Sequence, residues 1–205
     1  MDDVIGDEGN RYKDSIIVWD VETTKLIDRD HQEIEDMEIS VACAIEFHET
    51  DVKLEHAKQF AFWNENVISE YGMEDLARML SSCKQHVAFN GRRFDMLVMK
   101  QHFKDDAEYD KALERLSDPF YDLSVIAPYS LNALLKANKL TSKSGSGKDA
   151  PILWETKRYD DLENYCMDDV RLLAKLITKE STIKIPYMPI RVPLHISSVL
   201  FGSHL

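Results

Sequence analysis

The sequence predicts an α/β domain on a mixed five-stranded sheet, with three antiparallel N-terminal strands and flanking helices. Three observations carry this. The continuous, β-branched run Ile16-Ile17-Val18-Trp19 reads as a strand buried on both faces. Two further extended segments, Ile39 to Phe47 and Gln59 to Trp63, follow it with no helical pattern between them. From Met73 onward helical and extended stretches alternate, which adds helices and parallel-capable strands to the first three.

Taken in order, residues 1–14 form a polar, acidic segment expected to be flexible, and order begins with the first strand. Between Asp28 and Glu38 six acidic residues face one Arg and one His, a solvated turn before the second strand. Leu76, Met79 and Leu80 fall at helical spacing over Met73 to Cys83, and the short apolar run His86 to Phe89 ends at the turn Asn90-Gly91. Phe94, Leu97, Val98 and Phe103 predict an amphipathic helix over Arg93 to Phe103. The fifth strand is expected at Phe120 to Ile126, after Pro119, and helices over Leu131 to Asn138 and Asp160 to Lys179. Between those helices, Thr141 to Asp149 is a Ser/Gly loop. The domain so defined spans 15–181. Beyond it, Pro186, Pro189 and Pro193 make 182–205 an extended tail along the surface.

A chain of 205 residues, 44% hydrophobic, removes roughly 70% of its unfolded surface from water and builds a core without staples. Cys43, Cys83 and Cys166 form no Cys-x-x-Cys pair, which argues against a disulfide framework or zinc ribbon and for an intracellular, reducing compartment. The start, MDDVIGDEGN, lacks the basic and apolar regions of a signal peptide, and no stretch reaches the roughly 18 apolar residues of a spanning helix. A net charge of -12 disfavours a nucleic-acid-coating protein, yet suits an enzyme whose carboxylates are neutralised by metal ions. Gly147-Lys148 is not a phosphate loop, because Ser142 and Asp149 stand where Gly and Ser or Thr are needed. No His-Glu-x-x-His or Gly-x-Ser-x-Gly pattern occurs.

Chemistry concentrates at three places. Asp20 and Glu22 leave the first strand two residues apart, hence on one face. Such a pair is either a solvated strand end or, where buried, a site for a divalent cation that offsets the like charges. Asp95, in Asn90-Gly91-Arg92-Arg93-Phe94-Asp95, opens a helix, where a carboxylate gains from free amides. Tyr165 and Asp169 lie one turn apart on the long helix, on the side of Leu162, Cys166, Leu173 and Leu176. Asp169 therefore points inward, which costs several kcal/mol unless it meets a salt-bridge partner or a metal. Asp161 and Asp168 point toward water.

In order and spacing these residues resemble the three motifs of DEDD 3'→5' exonucleases: Asp20 and Glu22; Asn90 with Phe94 and Asp95; Tyr165 with Asp169. Tyrosine four residues before the last Asp, with Asn164 preceding it, is similar to the tyrosine branch, DEDDy. The second-motif spacing is most similar to the proofreading exonuclease of family B DNA polymerases, here as a stand-alone domain over about Ile16 to Ile177. The resemblance implies a ribonuclease H-like fold and metal-dependent hydrolysis of a single strand from its 3' end by two divalent ions, Mg²⁺ or Mn²⁺. It also implies roles. Asp20 would bridge both ions, Glu22 and Asp169 would bind the water-activating one, and Asp95 would position the other. Tyr165 would orient the attacking water, Leu26 would wedge against the terminal base, and Asn90 and Phe94 would meet the terminal nucleotide.

Tracking a strand requires cations beside the cleft. Lys136, Lys139, Lys143, Lys148, Lys157 and Arg158 cluster just before the third motif, and Arg92 and Arg93 adjoin Asp95; a solvated basic face is the alternative. Lys143, Lys148, Arg92 and Arg93 are the candidate phosphate contacts. The expected partner is the 3' end of a single strand, DNA before RNA, and the resemblance to a polymerase domain implies a replication or repair protein as a second one. RNA as substrate and a catalytically silent binding or polymerase-associated module are the rival readings.

Overall fold

The computed structural model describes residues 11–28, 33–124, 126, 129–143, 145, 147–194, 196 and 200. Strands β1 (Ser15–Thr23), β2 (Ile39–His48) and β3 (Lys58–Trp63) form an antiparallel meander. Helix α1 (Met73–Ser82) then leads to β4 (Gln85–Val87), which pairs parallel to β1. Helices α2 (Asp95–Met99) and α3 (Asp106–Arg115) precede β5 (Leu116–Ser117), parallel to β4. Helices α4 (Pro119–Leu123), α5 (Leu131–Ala137), α6 (Asp149–Glu155) and α7 (Tyr159–Lys179) follow, then a hairpin of β6 (Thr182–Lys184) and β7 (Arg191–Pro193). The five-stranded sheet has the order β3-β2-β1-β4-β5, the mixed sheet that the sequence predicts.

Strand β1 is central, and side-chain alternation assigns its two faces. Ile16 and Val18 pack into the core under α7 with Leu162, Cys166 and Leu173, whereas Ile17, Trp19 and Val21 pack with Leu76, Met79 and Met96 of α1 and α2. Asp20 and Glu22 continue the even positions, so the strand's own period delivers them to the α7 side. Two small residues let the helix come close: the Cys166 thiol lies 3.6 Å from the carbonyl of Asp20, and the Cys43 thiol 3.7 Å from that of Glu163.

The structure corrects the fifth strand. Of the strand expected over Phe120 to Ile126, Phe120 to Leu123 is helical: α4 occupies Pro119–Leu123, and β5 lies just upstream. Asp118 accepts from the amides of Phe120 and Tyr121, and Pro119 occupies the first helical turn, so the capping chemistry overrides the aromatic run. The helix expected over Arg93 to Phe103 is broken at Phe94 (φ -137°, ψ -76°) into a 3₁₀ turn at Gly91–Arg93, α2, and a second 3₁₀ turn at Lys100–His102. Helices α3 and α6 lie where no helix was expected. From Thr182 the chain is not merely a surface strap, since Ile183, Ile185 and Leu194 are buried in the α7-side core. Residues 1–10 of the acidic first segment and 29–32 of the expected turn lie outside the described residues. Among the described residues no helix is long and apolar enough to cross a membrane.

Candidate active site

Three carboxylates from two elements converge. One oxygen from each of Asp20, Glu22 and Asp169 lies within 4.8 Å of the others. Glu22 and Asp169 are 9% and 5% exposed, while Asp20 keeps an opening onto a cleft of about 260 Å³, also lined by Phe89, Ser130, Asn132 and Lys143. Asp95 opens α2 beside them. It is buried, accepts from the amide of Val21 at 3.2 Å, and lies beside Asp20, with which it can share a hydrogen bond once one of the two carboxyls is protonated. The residue between the two strand carboxylates thus tethers Asp95, the second-motif carboxylate, to β1.

Burial and mutual repulsion dominate the electrostatics. Burial raises Asp20 well above the usual carboxylate range, and the charges of Asp95, Glu22 and Asp169 raise it further. Glu22 is pushed up to about 8 by burial and then by Asp169, and Asp95 to about 7 by burial. Asp169 is raised by burial against the opposing pull of Lys143. The Tyr165 phenol, one turn before Asp169, is raised by burial and by Glu22 and Asp169; its hydroxyl is buried with no hydrogen-bond partner among the described residues. A set of oxygen donors that repel one another, with one face open to a cleft, fits a hard divalent cation. Asp20, Glu22 and Asp169 would hold it, with Asp95 at their edge.

The remaining sequence-predicted residues divide. Lys143 is in the cluster: its ammonium pairs with Asp169 and lies 5.8 Å from the centre of the Tyr165 ring. Asn90 adopts the left-handed conformation (φ 67°) at the turn before Asp95. Arg92 and Arg93 lie over the rings of Tyr121 and Phe120 on α4, at 5.3 and 5.9 Å. Phe94 is half-buried against the α1-side core. Leu26 is 54% exposed, and Lys148 is exposed ahead of α6. Lys136, Lys139, Lys157 and Arg158 are exposed as well.

Sequence reasoning missed Asp118, Asn132 and Ser130. Asp118 is buried and receives the amides of Asn90 and Arg92 at 2.9 and 3.0 Å as well as capping α4, so it fixes the second-motif turn. Asn132 accepts from the amide of Lys143 at 2.8 Å. An Asp before Pro was a cap signal that could have been read; the link to Asn90 spans 28 residues and had no local signature.

No family model matches the chain, and no curated protein matches it in sequence. Among solved structures it is similar to a family B DNA polymerase from the hyperthermophilic archaeon Pyrobaculum calidifontis, with a TM-score of 0.54 and 12% identity, covering 80% of this chain and 24% of that one. A product-bound exonuclease I overlaps it with a TM-score of 0.42 and 15% identity over 75% of this chain and 46% of that one. The chain thus spans about a quarter and under half of these two proteins' lengths. Sheet order, the mixed pairing and the polymerase likeness together show a ribonuclease H-like α/β fold.

Proposed function

We propose that the chain is a metal-dependent 3'→5' exonuclease of the DEDDy type that shortens single-stranded DNA from its 3' end to nucleoside 5'-monophosphates. The observation that carries this is the convergence of Asp20, Glu22 and Asp169 within 4.8 Å. The alternation of β1 and the register of α7 produce it jointly. Two divalent ions, when bound, supply a hydroxide at neutral pH and offset charge on the attacked and leaving oxygens.

The protein's own groups do the rest. Asp20, Glu22 and Asp169 would hold the cations, and Asp95, tied to Val21, would position the second. The Tyr165 phenol, held protonated by burial, is a hydrogen-bond donor that orients the attacking water and not a base. Asn90 and Phe94, on the turn before Asp95, would meet the terminal nucleotide, with Leu26 as a wedge beside its base. Arg92, Arg93, Lys143 and Lys148 would contact phosphates. Hydrolysis breaks the bond between phosphorus and the O3' of the penultimate nucleotide, which leaves with a proton as the hydroxide joins the phosphorus.

The test is digestion of matched 5'-labelled single-stranded DNA and RNA, with Mg²⁺ or Mn²⁺ and with chelator, by wild type and Asp20→Ala. A metal-dependent ladder shortening from the 3' end on DNA, lost in the variant, is the expected result. A stronger ladder on RNA would reassign the substrate, since discrimination rests on contacts to the 2'-hydroxyl. Full activity of Asp20→Ala, or no ladder on either strand, would overturn the reading.

A further inference from the structure

The chain carries its own cation into the carboxylate cluster. Lys143 comes from the segment between α5 and α6, and its ammonium pairs with buried Asp169 while feeling the charges of Asp20 and Glu22. Two further contacts seat it. Its amide is held by Asn132 on α5, and Gly145 lies so close to α7 that a Cβ there would fall 2.6 Å from the ring of Tyr165. Lys143 and Gly145 thus cover Asp169 and Tyr165 of α7 at once. Asp169 lines two cavities, one of about 260 Å³ that it shares with Asp20 and another of about 250 Å³ that it shares with Tyr165.

A primary ammonium and a divalent metal ion compete for the same carboxylate oxygens. We propose that Lys143 is a tethered counter-ion that closes the site in the metal-free protein, so that metal loading must displace it and release Gly145 from Tyr165. This rests on the reading of Asp20, Glu22 and Asp169 as metal ligands. It adds that the site is self-capped, and that loading and opening are one event. The closed form spares the apo-protein an uncompensated buried charge cluster. Its cost is weaker metal affinity than the carboxylates alone would give.

The test is Mn²⁺ binding, measured by calorimetry and by paramagnetic resonance of free Mn²⁺, on full-length wild type, Lys143→Met, Gly145→Ala and Lys111→Met. Lys111 is exposed on α3, so its replacement matches the change in net charge away from the cluster. Expected is an affinity at least about tenfold higher for Lys143→Met, since a unit charge is removed from a partly buried site. Gly145→Ala, whose new methyl pushes residue 145 off Tyr165, shifts affinity the same way by less, and Lys111→Met leaves it unchanged. Exchange of the Lys143 amide, held by Asn132, should quicken in wild type when Mn²⁺ is added. Equal or weaker binding by Lys143→Met, or unchanged exchange on loading, overturns the counter-ion. Absence of Mn²⁺ binding in every variant overturns the metal site itself.

Discussion

The carboxylate of Asp118 accepts the backbone N–H of Asn90 at 2.9 Å, holding a residue at φ 67° in the turn that leads to Asp95. The same side chain accepts from Arg92, Phe120 and Tyr121, so one buried carboxylate fixes the start of α4 and the second-motif turn together. Three of the four amides share Oδ1, and that of Arg92 alone uses Oδ2. Asp118→Ala should therefore cost about 3 kcal/mol in chemical denaturation, and Asp118→Asn, which retains Oδ1, about 1 kcal/mol. Both should lower nuclease turnover in the same rank order. An equal loss of stability in the two variants would show that the amide pattern is not what holds the turn.

Glu22 illustrates a cost that the site imposes on the fold. Its carboxyl is raised from 4.5 to about 8, so its contribution to stability is present below pH 4.5 and is lost as pH rises through about 8. In chelator, Glu22→Gln should match wild type near pH 4.5 and exceed it progressively up to about pH 8, by about 2 kcal/mol once coupling to its neighbours is allowed for. That is a rise of roughly 4–8 °C in Tm. Nuclease activity should be lost in the same variant. A pH-independent difference would mean that Glu22 stays charged in the metal-free fold.

His86 titrates in the opposite sense. It is fully buried on β4; the indole N–H of Trp19 donates to its Nδ1 at 3.0 Å, which leaves Nε2–H to donate to the carbonyl of Ala112 at 2.8 Å. Burial lowers the ring from 6.5 to about 4. The neutral ring's contribution is present above pH 6.5 and lost as pH falls to about 4, up to about 3 kcal/mol. His86→Gln can still accept from Trp19 and donate to Ala112, so the difference in stability between it and wild type should shrink over that window as acid is added. Denaturation curves at pH 7, 5.5 and 4 check this.

Tyr165→Phe removes a buried hydroxyl that has no hydrogen-bond partner among the described residues. Its stability should be unchanged or higher by up to about 1 kcal/mol, because no hydrogen bond is broken. Mn²⁺ affinity should hold, and turnover should fall by about 10–100-fold if the phenol orients water. Unchanged turnover would reduce Tyr165 to a packing residue and to the surface on which Gly145 rests.

What the sequence decided by itself is what local periodicity decides. The two-residue repeat of β1 placed Asp20 and Glu22 on the face of Ile16 and Val18, and the 3.6-residue repeat of α7 turned Asp169 inward with Leu162, Cys166 and Leu173. The three-strand meander was legible for the same reason, since Ile16, Ile39 and Gln59 each open uninterrupted extended runs. Tertiary structure decided the rest. Leu116–Ser117, too short to carry a pattern, became the fifth strand because β4 offered it an edge, while Phe120, with the longer apolar run, was captured by the Asp118 cap. The hold of Asp118 on Asn90 and the seat of Lys143 on Asp169 join residues 28 and 26 apart in sequence. Such pairings leave no local signature, because burial and opposite charge specify them only after the sheet and α7 have set the distances.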